Sequence, residues 1–373
     1  MSDLARFDPW LTNDSLAALV IREYLEPVEG PDGVLFPATY APAEDKKVFP
    51  GGYNIDPPDG EKNVCLVDSV GSQANRIEPI FAKPDFVHLV PQIAVKAGEK
   101  SVGILEAGHR AGDALVRCTS LQKDLQDAFK AVLKGNAEPL ARIAPTSLVF
   151  GVWDSRDTQA KLPRLIASTI RAFDVKRLKR SAQYNPPLDY AAQNVFSEED
   201  KAKAEGDTKS PLAKRGFVHV PATGSHGGVI ASGGIRRDAT LSLAALRLLT
   251  VGSDQEKTLA LRRYILGLSL VAFTSNASTY LRQGCNLVPS ERPREFKLVH
   301  SDGKREDQKL TQADALKYAT AVAKDFGVEK GKDVTFDPKL AVADIKGESD
   351  VKETRKKSAK KGEPIVATQE DNG

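Results

Sequence analysis

The sequence predicts a fold that mixes β-strands with α-helices, α+β or α/β, on three observations. Short apolar runs that suit strands lie at 64–67 and 147–153, and a short strand-like stretch lies at 175–182. Longer stretches with apolar residues three and four apart, at 121–134, 254–273 and 311–326, suit helices. The connections between them are uneven in length and draw on the 28 Gly and 22 Pro of the 373-residue chain. That pattern fits one sheet with large insertions better than two clean domains.

In chain order, residues 14–25 read as an amphipathic helix, capped by Asn13 or Asp14 and ended by Pro27. Residues 27–59 are rich in Pro and Gly and predict loops and short strands. A strand at 64–67 is followed by a helix at 69–81 with Ser72 as its cap, then a strand at 87–95. Leu121, Leu125, Ala128, Phe129 and Val132 form a helical stripe that Gly135 stops. Residues 147–153 (SLVFGVW) read as a buried strand. A helix at 161–173 would put Leu162, Leu165, Ile166, Ile170 and Phe173 on one face, and Lys161, Arg164, Ser168 and Arg171 on the other. Strands at 175–182, 217–220 and 228–231 follow, then helices at 239–249, 254–273 and 311–326. Thr311 and Asp314 open the last helix as a capping box. The charged stretch 197–210 (SEEDKAKAEGDTKS) predicts an exposed insertion loop within a core of residues 1–345. Residues 346–373 predict a disordered charged tail, whose basic run at 352–361 (KETRKKSAKK) reads as solvated or as a non-specific nucleic-acid tether.

Several function classes are excluded at this level. At 41% hydrophobic and 28% charged, the chain is neither fibrous nor wholly disordered. The longest apolar run, at 264–273, is too short to span a bilayer. The first residues, MSDLARFDPW, lack the basic and apolar regions of a signal peptide, so a cytoplasmic protein without a membrane partner is expected. Cys65, Cys118 and Cys285 are odd in number and form no CxxC, so they read as small buried hydrophobes. Walker A, GxGxxG, GxSxG and HExxH motifs are absent, and no two of the five histidines have helical ligand spacing. No cofactor, metal or catalytic residue is therefore expected. Asp154 and Asp157 in WDSRD read as caps or ion-pair partners of Arg156 before they read as magnesium ligands. His219 and His226 read as packed or loop histidines.

Charge is the informative feature. The net charge is only +3, yet 153–182 holds eight basic residues against three acidic ones. Such a local concentration is the footprint of a polyanion groove. The expected RNA-binding residues are Lys161, Arg164, Arg171, Lys176, Arg177, Lys179 and Arg180, with Phe173 and Tyr184 near enough to stack bases. A second candidate is the glycine-rich stretch 224–234, which ends in Gly233 and Gly234 and is followed by Arg236 and Arg237. Glycine amides beside two guanidinium groups suit a phosphodiester backbone, though a tight turn with solvated arginines fits equally. Upstream, Arg215-Gly216-Phe217-Val218-His219-Val220 shares its basic-Gly-aromatic start with the RNA-reading strand of an RRM.

Three strings carry a wider resemblance: VCLVDSVGSQANRIEPIF at 64–81, PTSLVFGVWDSRDTQAKLPRLIASTIRAFDVKRLKRSAQYNPPLDY at 145–190, and HGGVIASGGIRRDATLSLAALR at 226–247. Together they resemble the RAMP-superfamily backbone subunit of type I-U, now type I-G, CRISPR interference complexes. The resemblance spans roughly residues 10–330 and leaves out 197–210 and the tail. It implies an α+β fold: a modified RRM-like (ferredoxin-like) core sheet with large insertions. It also implies that copies polymerise head to tail along a CRISPR guide RNA, gripping its backbone while an inserted β-hairpin kinks it. The exposed bases would pair with target DNA, and other subunits of the complex would do the chemistry. A guide held for pairing is gripped through phosphates and riboses, which demands cations rather than a base-reading code. Arg76 falls inside a signature string, where an ion pair with Glu78 is the structural expectation. Two other readings remain: a RAMP endoribonuclease using Asp154, Asp157 or Asp238, and a stand-alone RNA-binding protein that never polymerises.

Overall fold

The structure is a computed structural model that describes residues 3–57, 62–155, 158–275 and 279–346. Its frame is a nine-stranded sheet in which every pairing is antiparallel. The strands are β1 (Leu16–Pro27), β2 (Ile55–Asp56), β3 (Val64–Asp68) and β4 (Ile166–Phe173), then, after an arm made of β5 (Val175–Tyr184) and β6 (Val220–Ala231), β7 (Ile235–Ser242), β8 (Tyr280–Arg282), β9 (Cys285–Pro289), β10 (Glu295–His300) and β11 (Arg305–Asp307). The sheet order is β8-β9-β1-β7-β4-β3-β2, with β10 on β1 beside β9 and β11 beyond it. Its centre, β10-β1-β7-β4, has helices between β1 and β4 and again between β7 and β10. That is the βαββαβ order of an RRM-like core.

The strand period sorts residues onto two faces. On the inner face, Leu19, Ile21, Ile166, Ala239, Leu241, Phe296 and Leu298 join the main core. That core is built with α2 (Gln255–Thr274) and α3 (Gln312–Phe326), and with the helices Gln122–Leu133, Glu138–Ile143 and Thr146–Phe150. Farther along the same face, Leu25, Ile170, Ala172 and Ile235 join a second core with Cys65, Val67, Leu281, Cys285 and Leu287. β3 and the β8–β9 pair stand far apart in sheet order, yet they share this core and Arg282 donates to the Val67 carbonyl at 2.9 Å. The sheet therefore curls, and the second core fills the curl.

Several sequence expectations need correction. From Leu16 on, the expected helix at 14–25 is a central strand, because β1 is hydrogen-bonded on both edges and buries every second residue from Leu19 to Leu25. Residues 161–173 are also strand: Lys161–Leu162 is a short one and Ile166–Phe173 is β4. The expected strand at 147–153 is a buried helix, Thr146–Phe150, closed by Gly151 at φ +77°. The expected strand at 87–95 is a 3-10 turn, Val87–Leu89, ahead of the strand Ala94–Ala97. At 239–249, β7 runs to Ser242, whose side chain caps the short helix Leu243–Arg247. Of the expected strands at 217–220 and 228–231, the first is strand only at Val220 and the second wholly, and both belong to one strand, β6.

Other expectations match. Helices at 122–133, 255–274 and 312–326 lie where periodicity placed them, and Thr311 and Asp314 make the capping box. The 69–81 helix divides into α1 (Val70–Ile77) and a 3-10 turn, Glu78–Ala82; Ser69 is the cap and accepts from the Ser72 amide. The three cysteines are buried. Among the described residues no helix is long and apolar enough to cross a membrane.

The charged insertion is more ordered than a loop. Ser197 caps a helix, Glu198–Ala204, and Pro211–Lys214 forms another. Ala204, Ala213 and Val218 make a small core of their own at the tip of the arm. Residues 156–157 and 347–373 lie outside the described residues, and with them Arg156, Asp157 and the basic run at 352–361.

Candidate nucleic-acid interface

The outer face of the sheet, opposite the helices, is a different surface. Arg22, Tyr24, Arg171, Phe173, Arg236 and Asp238 emerge there. Register puts Tyr24 beside Arg236 and Arg236 beside Arg171, so three neighbouring strands present one cationic row. The Arg236 guanidinium lies over the Phe173 ring at 4.9 Å, and that of Arg292 lies over Tyr24 at 3.5 Å. Stacking on a ring fixes each guanidinium plane without using its N–H donors. Asp238 holds Arg236 at 2.9 Å and Arg22 at 3.5 Å, and Arg171 donates to Thr169 at 2.6 Å. The Tyr24 hydroxyl donates to Glu295 at 2.7 Å, which holds that carboxyl below its usual range. Of these residues Arg22, Tyr24, Phe173, Arg236 and Arg292 border an open cleft of about 900 Å³ that reaches the root of the arm at Gly233 and Gly234.

The arm continues this surface. β5 and β6 prolong the β4–β7 pairing past a kink at Asp174, which has φ +48°. Opposite it, Gly234 takes φ +83°, and a Cβ on Gly233 would sit 2.9 Å from the Phe173 Cβ. The glycines thus serve the turn. Their amides donate to the Phe173 and Ala231 carbonyls, so they are not free for the phosphate contact that the sequence pattern suggests. Beyond Val175 almost every residue of β5 is exposed on both faces, including Lys176, Arg177, Lys179 and Arg180. Among the described residues no carboxylate forms an ion pair with Lys176, Arg177 or Lys179.

Two of the contacts expected from the sequence change here. Arg237 turns inward and is 1% exposed, between the two cores. It pairs with Glu23 at 3.0 Å and donates to the Phe273 carbonyl; burial lowers its pKa and Glu23 opposes that shift. A group so enclosed cannot reach a phosphate. Lys161, Arg164 and Arg171 do not share a helix face. Arg171 belongs to the sheet row, whereas Lys161 and Arg164 border a separate pocket of about 510 Å³ beside Trp153. Tyr184 stands exposed near the end of the arm, and Phe173 is half-buried under Arg236.

The remaining candidates are structural. Arg76 pairs with the buried Asp68 at 3.1 Å rather than with Glu78, which pairs with Arg110 at 2.7 Å. Asp154 is buried and accepts from the amide and hydroxyl of Thr158 at 2.9 and 2.7 Å, closing its own loop. His219 bonds to Asn185 at 2.6 Å, and His226 lies against Tyr53 with ring centroids 4.9 Å apart. Arg215–Val220, the RRM-like string, belongs to the arm's tip and not to the core sheet. Among the described residues, no three His, Cys, Asp or Glu side chains gather in a group that could hold a metal ion. Sequence reasoning misses Tyr24, Arg22 and Arg292, because the local pattern of residues 14–25 suits a helix and no basic cluster marks residue 292.

Residues 19–177 match a family model described as CRISPR-associated protein GSU0053. The match runs from β1 through β4 to Arg177 near the root of the arm, so this part of the chain is similar to a CRISPR-associated family. No curated protein matches the chain.

Proposed function

We propose that this chain binds a CRISPR guide RNA by its sugar–phosphate backbone and assembles head to tail with further copies along it. The observation that carries this reading is the cationic row Arg171–Arg236–Tyr24 on the open sheet face, continuous with the exposed cations of β5. Cations fixed by ring stacking and by side-chain partners suit regularly spaced phosphates and read no base. Bases left free in this way remain available to pair with target DNA. In this reading the β5–β6 arm is the inserted hairpin that kinks the guide. The family match adds a role in CRISPR interference, and the resemblance of the three strings adds the type I-G backbone position among other subunits. Head-to-tail contact is a heterologous interface, which extends into an open helical filament.

The reading assigns no bond cleavage to this chain. Asp238 pairs with Arg22 and Arg236, and one carboxylate oxygen of Asp154 accepts from Thr158. Light scattering on guide RNAs of increasing length tests the proposal. Particle mass should rise with guide length in steps of one 40.3 kDa chain. A mass fixed at one chain per RNA would leave a stand-alone RNA binder. Magnesium-dependent cutting of guide-paired RNA would instead make it a nuclease.

A further inference from the structure

The pocket beside Trp153 is separate from the sheet row and unexplained by it. Trp153 is 56% exposed, whereas the other tryptophan, Trp10, is buried against Phe7. The Lys161 ammonium lies 5.5 Å from the Trp153 ring centroid. Arg164 lies at the same rim, and no described carboxylate pairs with either cation. Gly151, at φ +77°, makes room for the Arg164 stem: a Cβ there would lie 2.9 Å from the Arg164 Cγ. The wall includes Gly71 and Gly108, where an added Cβ would meet nothing closer than 3.8 Å.

The pocket also holds a charge that is not at the surface. Arg110 is 3% exposed, fixed by Glu78 at 2.7 Å, and it donates to the Gly151 carbonyl and the Asn75 side chain at 3.3 Å. Burial lowers its pKa, Glu78 opposes this, and the nearby Arg164 charge lowers it further. Glu78 balances Arg110, so the rim cations Lys161 and Arg164 are the charges that would meet an anion at this pocket. An exposed indole with cations at its rim is the arrangement that takes a single-stranded base on the ring and its phosphate on the cations.

We propose that Trp153, Lys161 and Arg164 form a nucleotide-binding subsite for single-stranded nucleic acid, with the base stacked on Trp153 and the phosphate between Arg164 and Lys161. This rests on the reading of the chain as a nucleic-acid binder. The subsite lies at the opposite end of β4 from the main cleft. Arg164 and Phe173 are nine residues apart, about 30 Å along extended chain. The nucleotide comes from RNA or from DNA, and the test separates the two.

Trp10→Phe leaves Trp153 as the sole tryptophan of the full chain. Its emission is followed while a uridine dodecamer or a thymidine dodecamer is added, and fluorescence anisotropy of the labelled oligomer reports binding independently. Quenching by the uridine oligomer assigns the subsite to RNA, and quenching by the thymidine oligomer assigns it to DNA. In the wild-type background, Trp153→Ala should weaken binding about tenfold. Trp153→Phe should retain most of it. Gly71→Leu, which fills the pocket without removing a charge, should act like Trp153→Ala. If anisotropy shows binding while Trp153 emission is unchanged, the subsite is wrong and the backbone-binding reading stands. If neither oligomer binds, both are wrong. Quenching that follows protein concentration without nucleic acid would make Trp153 a contact between copies and overturn the subsite.

Discussion

Arg236 and Arg237 are consecutive in the chain and opposite in role. Arg236 points outward, stacks on Phe173 and shares Asp238 with Arg22. Arg237 points inward, is sealed between two apolar cores and answers Glu23 directly across the strand pair. The strand's period of two makes the difference. One face of the sheet holds a charge because a buried partner requires it. The other holds charges that remain open to an anion. Counting basic residues does not separate the two; the face of the strand does.

The largest expected effect breaks the inner pair. Arg237→Ala leaves the buried Glu23 carboxylate to the more distant Arg294, at 3.9 Å, and should cost about 3–5 kcal/mol. Urea denaturation followed by circular dichroism measures it. Replacing both partners, Arg237→Met with Glu23→Leu, should recover most of that loss. Arg236→Ala should change stability by less than about 0.5 kcal/mol. A loss for Arg236→Ala as large as that for Arg237→Ala would erase the distinction between the faces.

Next comes RNA affinity. Removing Arg171 and Arg236 together, or Lys176, Arg177 and Lys179 together, should weaken binding by about tenfold or more and equally for all guide sequences. The slope of log affinity against log salt should flatten by about 0.7 per lost phosphate contact. Filter binding at several salt concentrations reads both. Sequence-selective loss would mean that these cations read bases.

A second buried pair sharpens the comparison through pH. Burial pushes the Glu78 carboxyl up from 4.5 to about 7, against the pull of Arg110. The folded state therefore holds this proton more tightly than the unfolded chain. The stability it contributes is present below pH 4.5 and is lost as pH rises through about 7. Glu78→Gln should flatten the pH dependence of the unfolding midpoint in that window. An unchanged slope would place the dependence elsewhere. The smallest effect belongs to the kink: Gly234→Ala, at φ +83°, should cost about 1 kcal/mol and leave RNA affinity nearly intact.

Much of the fold is legible where one signal stands alone. Thr311 and Asp314 mark a helix start that tertiary packing does not alter. Residues 175–182 read as strand, and they lie in one, Val175–Tyr184. The failures fall on β1 and β4. In β4, Leu162, Leu165, Ile166, Ile170 and Phe173 fit a helical stripe, whereas the face that is buried is Ile166, Ser168, Ile170 and Ala172. Ser168 and Ala172 are too small and polar to reveal a period of two. The basic residues at 161–180 are visible in the sequence, but their grouping is not: strand geometry divides them among the Trp153 pocket, the sheet row and the arm. Arg292 joins the row through a ring contact with Tyr24, across a separation of 268 residues that local pattern cannot span.

The most direct test of the central claim is to photocrosslink a guide RNA containing 4-thiouridine to the full chain and map the joined peptides by mass spectrometry. The account predicts crosslinks on the outer sheet face and the arm, at peptides containing Tyr24, Phe173 and Tyr184. Crosslinks confined to the solvent side of α2 and α3, with none on the sheet or arm, would contradict it.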